Sequence, residues 1–265
     1  MPIWAVKGNT MALDLVTIPC LTDNYAYLIR DKATGETALV DVPEAAPILA
    51  ELALRGWRLD KIFLTHHHHD HVQGTDELVQ ATGAAVYGAQ ADVHRLPPLT
   101  RALTEGDEVT VGETIGHVMD VSGHTIGDIA FVFPSAHVAF TADSLMAGAC
   151  GRLFEGSPAM MWASLRKLAA LPAQTIICSG HEYTASNLRF AATIEPENAD
   201  LLDRIARVAA ARAAGLPTVP TLLSEELATN PFLRVKLPHI KKALGLPTAS
   251  DAEVFAAMRA RKDTF

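Results

Sequence analysis

The 265-residue sequence has few cysteines, no long apolar run and no excess of basic residues. Its three cysteines, Cys20, Cys150 and Cys178, are odd in number and far apart, which favours a reducing compartment over a disulfide framework. No apolar run approaches the roughly 18 residues that a membrane helix needs. The formal net charge of −8 argues against a nucleic acid as partner. We therefore expect a cytoplasmic protein with no membrane and no nucleic-acid partner, in which an anionic substrate requires a local basic patch.

The N-terminus lacks the apolar core of a secretory signal, because Lys7, Asn9 and Asp14 interrupt it. Met11 is a candidate second start site, which would make residues 1–10 a dispensable extension. The hydrophobic content of 49% and the charged content of 20% are typical of a globular enzyme and argue against disorder.

Short strand patterns recur before residue 182 and disappear after it. The predicted strands are 13–18, 25–30, 37–42, 61–65, 114–121, 128–133, 137–141 and 174–178, and predicted helices at 44–55, 75–82 and 158–171 interrupt them. Beyond residue 182 the sequence predicts a helix over 196–214 and a last one that opens at the capping box 250–253 and runs through 258. We therefore predict a mixed α/β domain over 1–182 and a small helical domain over 183–265.

The segment LTHHHHDHVQG, residues 64–74, concentrates five histidines and one aspartate between positions 66 and 71. It is internal and interrupted by a carboxylate, which distinguishes it from a purification tag. In an extended chain His66 and His68 point the same way, whereas Asp70 and His71 lie at the turn into the next helix. This spacing predicts two imidazoles for one metal ion, and a carboxylate with an imidazole for a neighbouring ion.

Three isolated residues, His124, Asp143 and His181, each follow a predicted strand. Alone, each is more typical of a turn than of a ligand set. Together they share the carboxyl end of a strand, where ligands collect in α/β proteins. His67 and His69 point away from His66 and His68, so we expect them to be spacers or to contact ligands from outside.

The THHHHDH motif matches the T-H-x-H-x-D-H signature of the metallo-β-lactamase superfamily, and the later His, Asp and His follow in the same order. Within that superfamily the chain closely resembles glyoxalase II, the hydroxyacylglutathione hydrolase family, from about residue 16 to its end. Further shared segments are IPCLTDNYAYLI (18–29), GHT (123–125), CGRLFEG (150–156), GHEYT (180–184), NPFLR (230–234) and MRARKDTF (258–265). The resemblance implies an αββα sandwich of two sheets with helices outside, followed by a small all-α C-terminal domain.

The resemblance also implies a dinuclear metal site. One ion would be held by His66, His68 and His124, the other by Asp70, His71 and His181, with Asp143 and a water or hydroxide bridging the two. Asp70 is also expected to orient the hydroxide. Two divalent ions follow, with zinc favoured and iron or manganese as alternatives, because such ligands accept all three.

Glutathione is held in this family by a basic residue in the CGR segment, the tyrosine after GHE and two basic residues near the end. The matching residues are Arg152, Tyr183, Arg259 and Lys262. The implied partner is a small glutathione thioester, bound by a monomer. One departure from the family is Ala142, which stands where a glycine usually precedes the motif aspartate.

The implied reaction is hydrolysis of S-(2-hydroxyacyl)glutathione, foremost S-D-lactoylglutathione, to D-lactate and glutathione in methylglyoxal detoxification. Two cations ~3.5–4 Å apart can bring a bound water to a pKa of ~7, and the bridging hydroxide then attacks the thioester. The leaving thiol has a pKa of ~8.5 and departs as a thiolate, so a general acid is unnecessary.

Other activities remain open from the sequence. Cys150 is a rival nucleophile, although no catalytic His–Cys pattern surrounds it. A lactonase or β-lactamase would share the metal loop but would not need the basic C-terminus. A persulfide dioxygenase uses a single iron and would leave His71 and His181 without a role. The last alternative is a metal-storing or scaffolding protein that has lost catalytic turnover, and only an activity assay distinguishes it from the hydrolase.

Overall fold

The computed structural model describes residues 12–265, so the predicted extension over residues 1–10 and the start site at Met11 lie outside the described residues. The described chain forms two compact units. Residues 12–120 and 126–142 form one, here called the sheet unit, and residues 121–125 and 143–265 form the other, here called the helix unit. The predicted domain division between residues 182 and 183 stays a prediction.

The sheet unit alternates strands with short helices. Its strands are β1 (Leu13–Cys20), β2 (Asn24–Asp31), β3 (Thr37–Val40), β4 (Lys61–Phe63), β5 (Ala85–Ala89), β6 (Arg101–Leu103), β7 (Glu108–Val111), β8 (Thr114–Asp120), β9 (Ile129–Phe133) and β10 (Val138–Ala142). Its helices are α1 (Ala45–Arg55), α2 (His69–Val72) and α3 (Thr75–Thr82). Strands β5, β6 and β7 were not predicted from the sequence.

These strands form two sheets. Strands β1 to β6 pair in sequence order, antiparallel from β1 to β3 and parallel from β3 to β6. Strands β7 to β10 pair in the order β10-β9-β8-β7 through antiparallel neighbours. The parallel part of the first sheet places the carboxyl ends of β3 and β4 at the same edge, which is where the histidine-rich segment begins.

Aromatic rings fill the space between the two sheets. Phe63 of β4 stacks on Phe131 of β9 with 5.0 Å between ring centroids, and Tyr27 of β2 lies 5.7 Å from Phe140 of β10. The opposite face of the first sheet packs against α1 and α3, with apolar residues of both helices in one buried cluster with the strands. The sheet unit is therefore a two-sheet sandwich with these helices on the outside of its first sheet.

The helix unit contains two short strand pairs, β11 (Leu145–Met146) with β12 (Ala149–Cys150), and β13 (Ile176–Ser179) with β14 (Thr221–Leu222). Its helices are α4 (Pro158–Ala169), α5 (Thr184–Ile194), α6 (Ala199–Ala213), α7 (Leu223–Thr229), α8 (Pro238–Ala243) and α9 (Asp251–Asp263). Strand β14 corrects the prediction that strands end before residue 182. Within residues 12–265, none of the helices combines the length and the apolar character needed to cross a membrane.

Two helix boundaries differ from the prediction for local reasons. Helix α6 begins at Ala199 rather than at residue 196, because the Asn198 side chain accepts a hydrogen bond from the Leu201 N–H and caps the helix there. Helix α9 has the predicted Ser250–Glu253 capping box but continues to Asp263. The predicted end at residue 258 is therefore wrong, because the charged turn that follows is helical as well.

Candidate metal centre and substrate-binding residues

The sheet unit holds His66, His68, Asp70 and His71 in the segment that follows β4. His66 and His71 are buried, with 4.2 Å between their ring centroids, and the rings of His66 and His68 are 4.7 Å apart. His68 has extended backbone and directly precedes the single turn of α2, which carries Asp70 and His71. This arrangement matches the predicted loop that turns into a helix.

Asp41 is a buried carboxylate under this segment that the sequence analysis did not identify. Its Oδ1 accepts the Thr65 N–H at 2.8 Å, and its Oδ2 accepts the Thr65 hydroxyl and lies 2.8 Å from His71 Nδ1. Asp41, His66 and His71 bring potential ligand atoms within 4.8 Å of one another. One carboxylate just after β3 therefore contacts both Thr65, in the segment that follows β4, and His71, a candidate ligand.

These hydrogen bonds determine which nitrogen of each imidazole ring carries the proton. Because Thr65 gives its hydroxyl proton to Asp41, its oxygen accepts from His66 Nδ1, 3.0 Å away. His71 Nδ1 donates to Asp41 in the same way. Both rings thus carry their proton on Nδ1, which leaves the Nε2 lone pair for a metal ion. This donor chemistry fits a metal centre.

Asn24 and Asp92 support the segment from two other directions. Asn24 Nδ2 donates to the carbonyl of Asp70 at 3.0 Å and to its Oδ2 at 3.1 Å. Buried Asp92 lies 2.9 Å from His67 Nδ1 and also accepts from Arg95 Nε at 3.1 Å. His67 therefore contacts a carboxylate outside the candidate ligand set, as expected for a side chain that points away from His66 and His68.

The helix unit brings together His124, Asp143 and His181, which are all buried. Asp143 Oδ2 lies 3.4 Å from His124 Nε2 and 3.3 Å from His181 Nε2. Two donors at tetrahedral angles around one zinc ion, each at its usual bond length, are about 3.4 Å apart. The two imidazoles therefore meet one carboxylate oxygen at the separation that a shared metal ligand requires.

The backbone and rings around these residues hold them in place. His124 Nδ1 donates to the Arg152 carbonyl at 2.7 Å, which again leaves Nε2 for a metal ion. The His181 ring stacks on Tyr183 with 4.7 Å between centroids. Ala142, just before Asp143, has a φ of 38°, a conformation that favours glycine and accounts for the glycine usual in the family.

The predicted glutathione contacts also lie in the helix unit. Arg152 is more than half exposed and lies 3.5 Å from Asp263, which also accepts from Arg259 at 2.9 Å. Arg259 is buried and donates to the backbone of residues 150 and 151, whereas Tyr183 is partly exposed. Burial and the neighbouring Arg259 lower the pKa of Lys262 to about 8. Arg152, Arg259 and Lys262 thus form a cationic group beside the Asp263 carboxylate.

Cys150 is a poor nucleophile in this structure. The thiol is buried, and burial raises its pKa although Arg259 nearby opposes the shift. A thiolate is the reactive form of cysteine, so a buried thiol with a raised pKa reacts slowly. The alternative of catalysis through Cys150 therefore lacks support from the geometry.

Two protein families match consecutive parts of the chain. Residues 21–181 match the metallo-β-lactamase superfamily, and residues 182–265 match the hydroxyacylglutathione hydrolase C-terminus. A protein of Cereibacter sphaeroides (strain ATCC 17025) named hydroxyacylglutathione hydrolase is 62% identical over 255 residues, covering 96% of this chain and 100% of the relative. One of Jannaschia sp. (strain CCS1) with the same name is 61% identical, covering 95% and 98%.

Solved structures share the fold at lower identity. The BLEG-1 B3 metallo-β-lactamase superposes with a TM-score of 0.65 at 21% identity, covering 83% of this chain and 99% of that one. TTHA1623 in a di-iron-bound form superposes with a TM-score of 0.61 at 27% identity, covering 83% of this chain and 100% of that one. The chain therefore has a metallo-β-lactamase domain followed by a helical C-terminal domain.

Proposed function

The chain belongs to the hydroxyacylglutathione hydrolase family of the metallo-β-lactamase superfamily, and from this we propose that it hydrolyses the thioester of S-(2-hydroxyacyl)glutathione. S-D-lactoylglutathione is the proposed substrate, and D-lactate and glutathione are the products, as in methylglyoxal detoxification. The observation that carries the proposal is the pair of imidazoles, His124 and His181, that face one oxygen of Asp143. The cytoplasmic location and the monomeric state stay predictions.

The proposed ligands are those that the family resemblance implies. One ion is assigned to His66, His68 and His124, the second to Asp70, His71 and His181, and Asp143 to both. The Nδ1 hydrogen bonds of His66, His71 and His124 support this assignment, because each leaves Nε2 for a metal ion. The family and the donor set favour two metal ions, and zinc is proposed with iron and manganese as alternatives.

Two divalent ions, when held by these residues, would lower the pKa of a water to ~7 and polarise the thioester carbonyl. The residues of the chain supply orientation and binding. Asp70, which Asn24 holds through a hydrogen bond, orients the attacking water. Arg152 and Lys262 attract the carboxylates of glutathione, which are remote from the thioester. The glutathione thiol has a pKa of ~8.5 and leaves as a thiolate, so the reaction needs no proton donor for the leaving group.

The proposed function is tested by thiol release from S-D-lactoylglutathione beside a panel of lactones and β-lactams. We expect rapid release of glutathione and slow turnover of the panel, because its members lack the two glutathione carboxylates that the cationic group is proposed to bind. Faster turnover of a lactone or lactam than of the thioester would contradict the proposal. Oxygen consumption with glutathione persulfide would instead support the dioxygenase alternative.

The pKa of Lys262 predicts how substrate binding depends on pH. The side chain is charged below about pH 8 and loses its charge above it. If Lys262 binds a glutathione carboxylate, the KM for the glutathione thioester rises several-fold between about pH 7 and pH 9, with little change in kcat. Lys262→Arg stays charged throughout this range, so its KM is expected to stay nearly constant.

A small uncharged thioester is the control for this measurement. Its KM is expected to change equally with pH in the wild type and in Lys262→Arg, because neither cation has a carboxylate to bind. If the wild-type KM for the glutathione thioester follows the uncharged one across this range, Lys262 does not bind the substrate in its charged form.

A further inference from the structure

A β-hairpin in the helix unit, formed by β11 and β12 over residues 145–150, is held by side chains of later helices. Asn230 Nδ2 donates to the carbonyls of Ala149 at 2.9 Å and Met146 at 3.3 Å. Asn187 Nδ2 donates to the carbonyl of Ala147 at 2.9 Å. Both asparagines are buried, so these hydrogen bonds are shielded from water.

Two charged side chains continue this row of contacts. Glu226 Oε2 accepts the Gly148 N–H at 2.8 Å, and Arg259 Nη1 donates to the carbonyls of Cys150 at 2.8 Å and Gly151 at 3.4 Å. Every residue from 146 to 151 therefore has a backbone polar group bonded to a side chain from residues 187–259. Buried backbone polar groups need hydrogen-bond partners, and here side chains from later parts of the chain supply them.

The Glu226 carboxylate, which accepts from the middle of the hairpin, is itself fully buried. Glu226 Oε1 accepts from the Thr221 hydroxyl at 2.9 Å and pairs with buried Arg204, while Oε2 also accepts from Asn230 Nδ2 at 3.1 Å. Replacing a buried ion pair by apolar residues of the same size often costs no stability, whereas separating the two partners leaves an uncompensated buried charge and is strongly destabilising. The network is therefore suited to specifying the position of the hairpin.

The hairpin connects two residues of the proposed site. Asp143 lies two residues before it and Arg152 two residues after it. Gly151 packs so closely on the carbonyl of Asp143 that a Cβ there would overlap it, and the Gly151 N–H donates to the Ser144 carbonyl at 3.3 Å. A shift of the hairpin would therefore move both ends together.

We propose that Asn187, Glu226 and Asn230 are positioning residues that fix the hairpin and, through it, the placement of Asp143 and Arg152. The helical C-terminal region thus shapes the metal-ligand segment in addition to contacting substrate. This inference rests on the proposed function for the roles of Asp143 and Arg152. Zinc affinity tests this inference without substrate, because a displaced Asp143 weakens metal binding.

The experiment compares Asn187→Ala and Asn230→Ala with Asn198→Ala in the full-length protein. Asn198 is the comparison variant, because its Nδ2 also donates to a backbone carbonyl, that of Ala228 at 3.0 Å, and its side chain makes no hydrogen bond to the hairpin. We expect both hairpin variants to bind zinc about 10-fold more weakly in competition with a chromophoric chelator, the lower range for loss of an outer contact to a metal ligand. Asn198→Ala is expected to bind zinc as the wild type does, with only a lower Tm.

Steady-state kinetics on the zinc-loaded proteins separates positioning from general destabilisation. We expect the hairpin variants to show a higher KM for the glutathione thioester and a lower kcat, because Arg152 and Asp143 move together. With an uncharged thioester only the loss in kcat should remain. Asn187→Ala removes a single hydrogen bond and is therefore the milder variant. If Asn230→Ala does not fold, Asn187→Ala alone tests the proposal.

The proposal is overturned if folded Asn187→Ala matches Asn198→Ala in zinc affinity, kcat and KM. Should the wild type fail to release thiol from S-D-lactoylglutathione while the zinc affinities follow the expected order, the proposed function fails and the positioning role stands. The two conclusions are therefore separable.

Discussion

Replacing His68 or Asp143 by alanine is expected to reduce kcat/KM for S-D-lactoylglutathione by more than about 100-fold. This exceeds the usual effect of losing a residue that contacts a metal ligand but not the metal ion itself. Each substitution removes a proposed metal ligand. Asp143 is also the carboxylate that both His124 and His181 face, so its loss affects both metal ions. Metal content and thiol release, measured on the same folded preparations by circular dichroism, elemental analysis and a thiol assay, check this prediction.

His67→Ala is the matched control, one residue away in the same segment. His67 contacts Asp92 at 2.9 Å, outside the proposed ligands, so we expect a loss of at most about 10-fold, within the range for outer contacts. If His67→Ala lost as much activity and metal as His68→Ala, the assignment of ligands along this segment would be wrong.

Asp41→Asn is expected to weaken metal binding by about 10- to 100-fold, the range for residues that orient metal ligands. The carboxylate accepts hydrogen bonds at both oxygens, from the Thr65 N–H at Oδ1 and from the Thr65 hydroxyl and His71 at Oδ2. An amide has only one accepting oxygen, so its NH₂ group must face a donor in either orientation. In one orientation His71 loses the contact that keeps its proton on Nδ1, and in the other the Thr65 N–H loses its acceptor.

The matched control for this prediction is Asp92→Asn, another substitution at a buried aspartate of the sheet unit that pairs with a histidine. It should lower the free energy of unfolding, because a buried carboxylate pair is broken, but change zinc affinity less than Asp41→Asn does. Equal zinc affinity for Asp41→Asn and the wild type would show that Asp41 does not orient a ligand.

The sequence indicated the proposed ligands, which stay a prediction, but not the residues that support them. His66, His68, Asp70 and His71 were identified because their types and spacing are typical of metal ligands. Asp41 was not, because the strand was predicted to run to residue 42, whereas β3 ends at Val40. A correct boundary would have placed Asp41 at a strand end, the same signal that identified His124, Asp143 and His181.

The elements that the sequence did not predict depend on tertiary packing. Strand β5, with the sequence AVYGA, is short and contains small residues, and it is a strand because β4 and β6 pair with it on either side. Helix α5 has no strong capping residue, and it is stabilised by buried Leu188, Ala191 and Ile194 instead. Local patterns carry little of this information, since the partners lie far away in sequence.

The role of Arg259 illustrates the same limit. The resemblance implied that Arg259 and Lys262 are two basic residues that hold glutathione, and both lie on α9. Only the structure shows that Arg259 is buried, with its guanidinium donating to the backbone of residues 150 and 151. A direct contact between Arg259 and glutathione stays a prediction, and its hydrogen bonds add a structural role that helix periodicity cannot reveal.

The central claim, a dinuclear thioester hydrolase, is tested most directly by titrating metal-free protein with zinc while following thiol release from S-D-lactoylglutathione. Seven ligand side chains in two sets with one shared carboxylate predict that activity reaches its plateau at two zinc ions per chain. A protein that is fully active with one ion per chain, and that gains nothing from a second, would contradict the account.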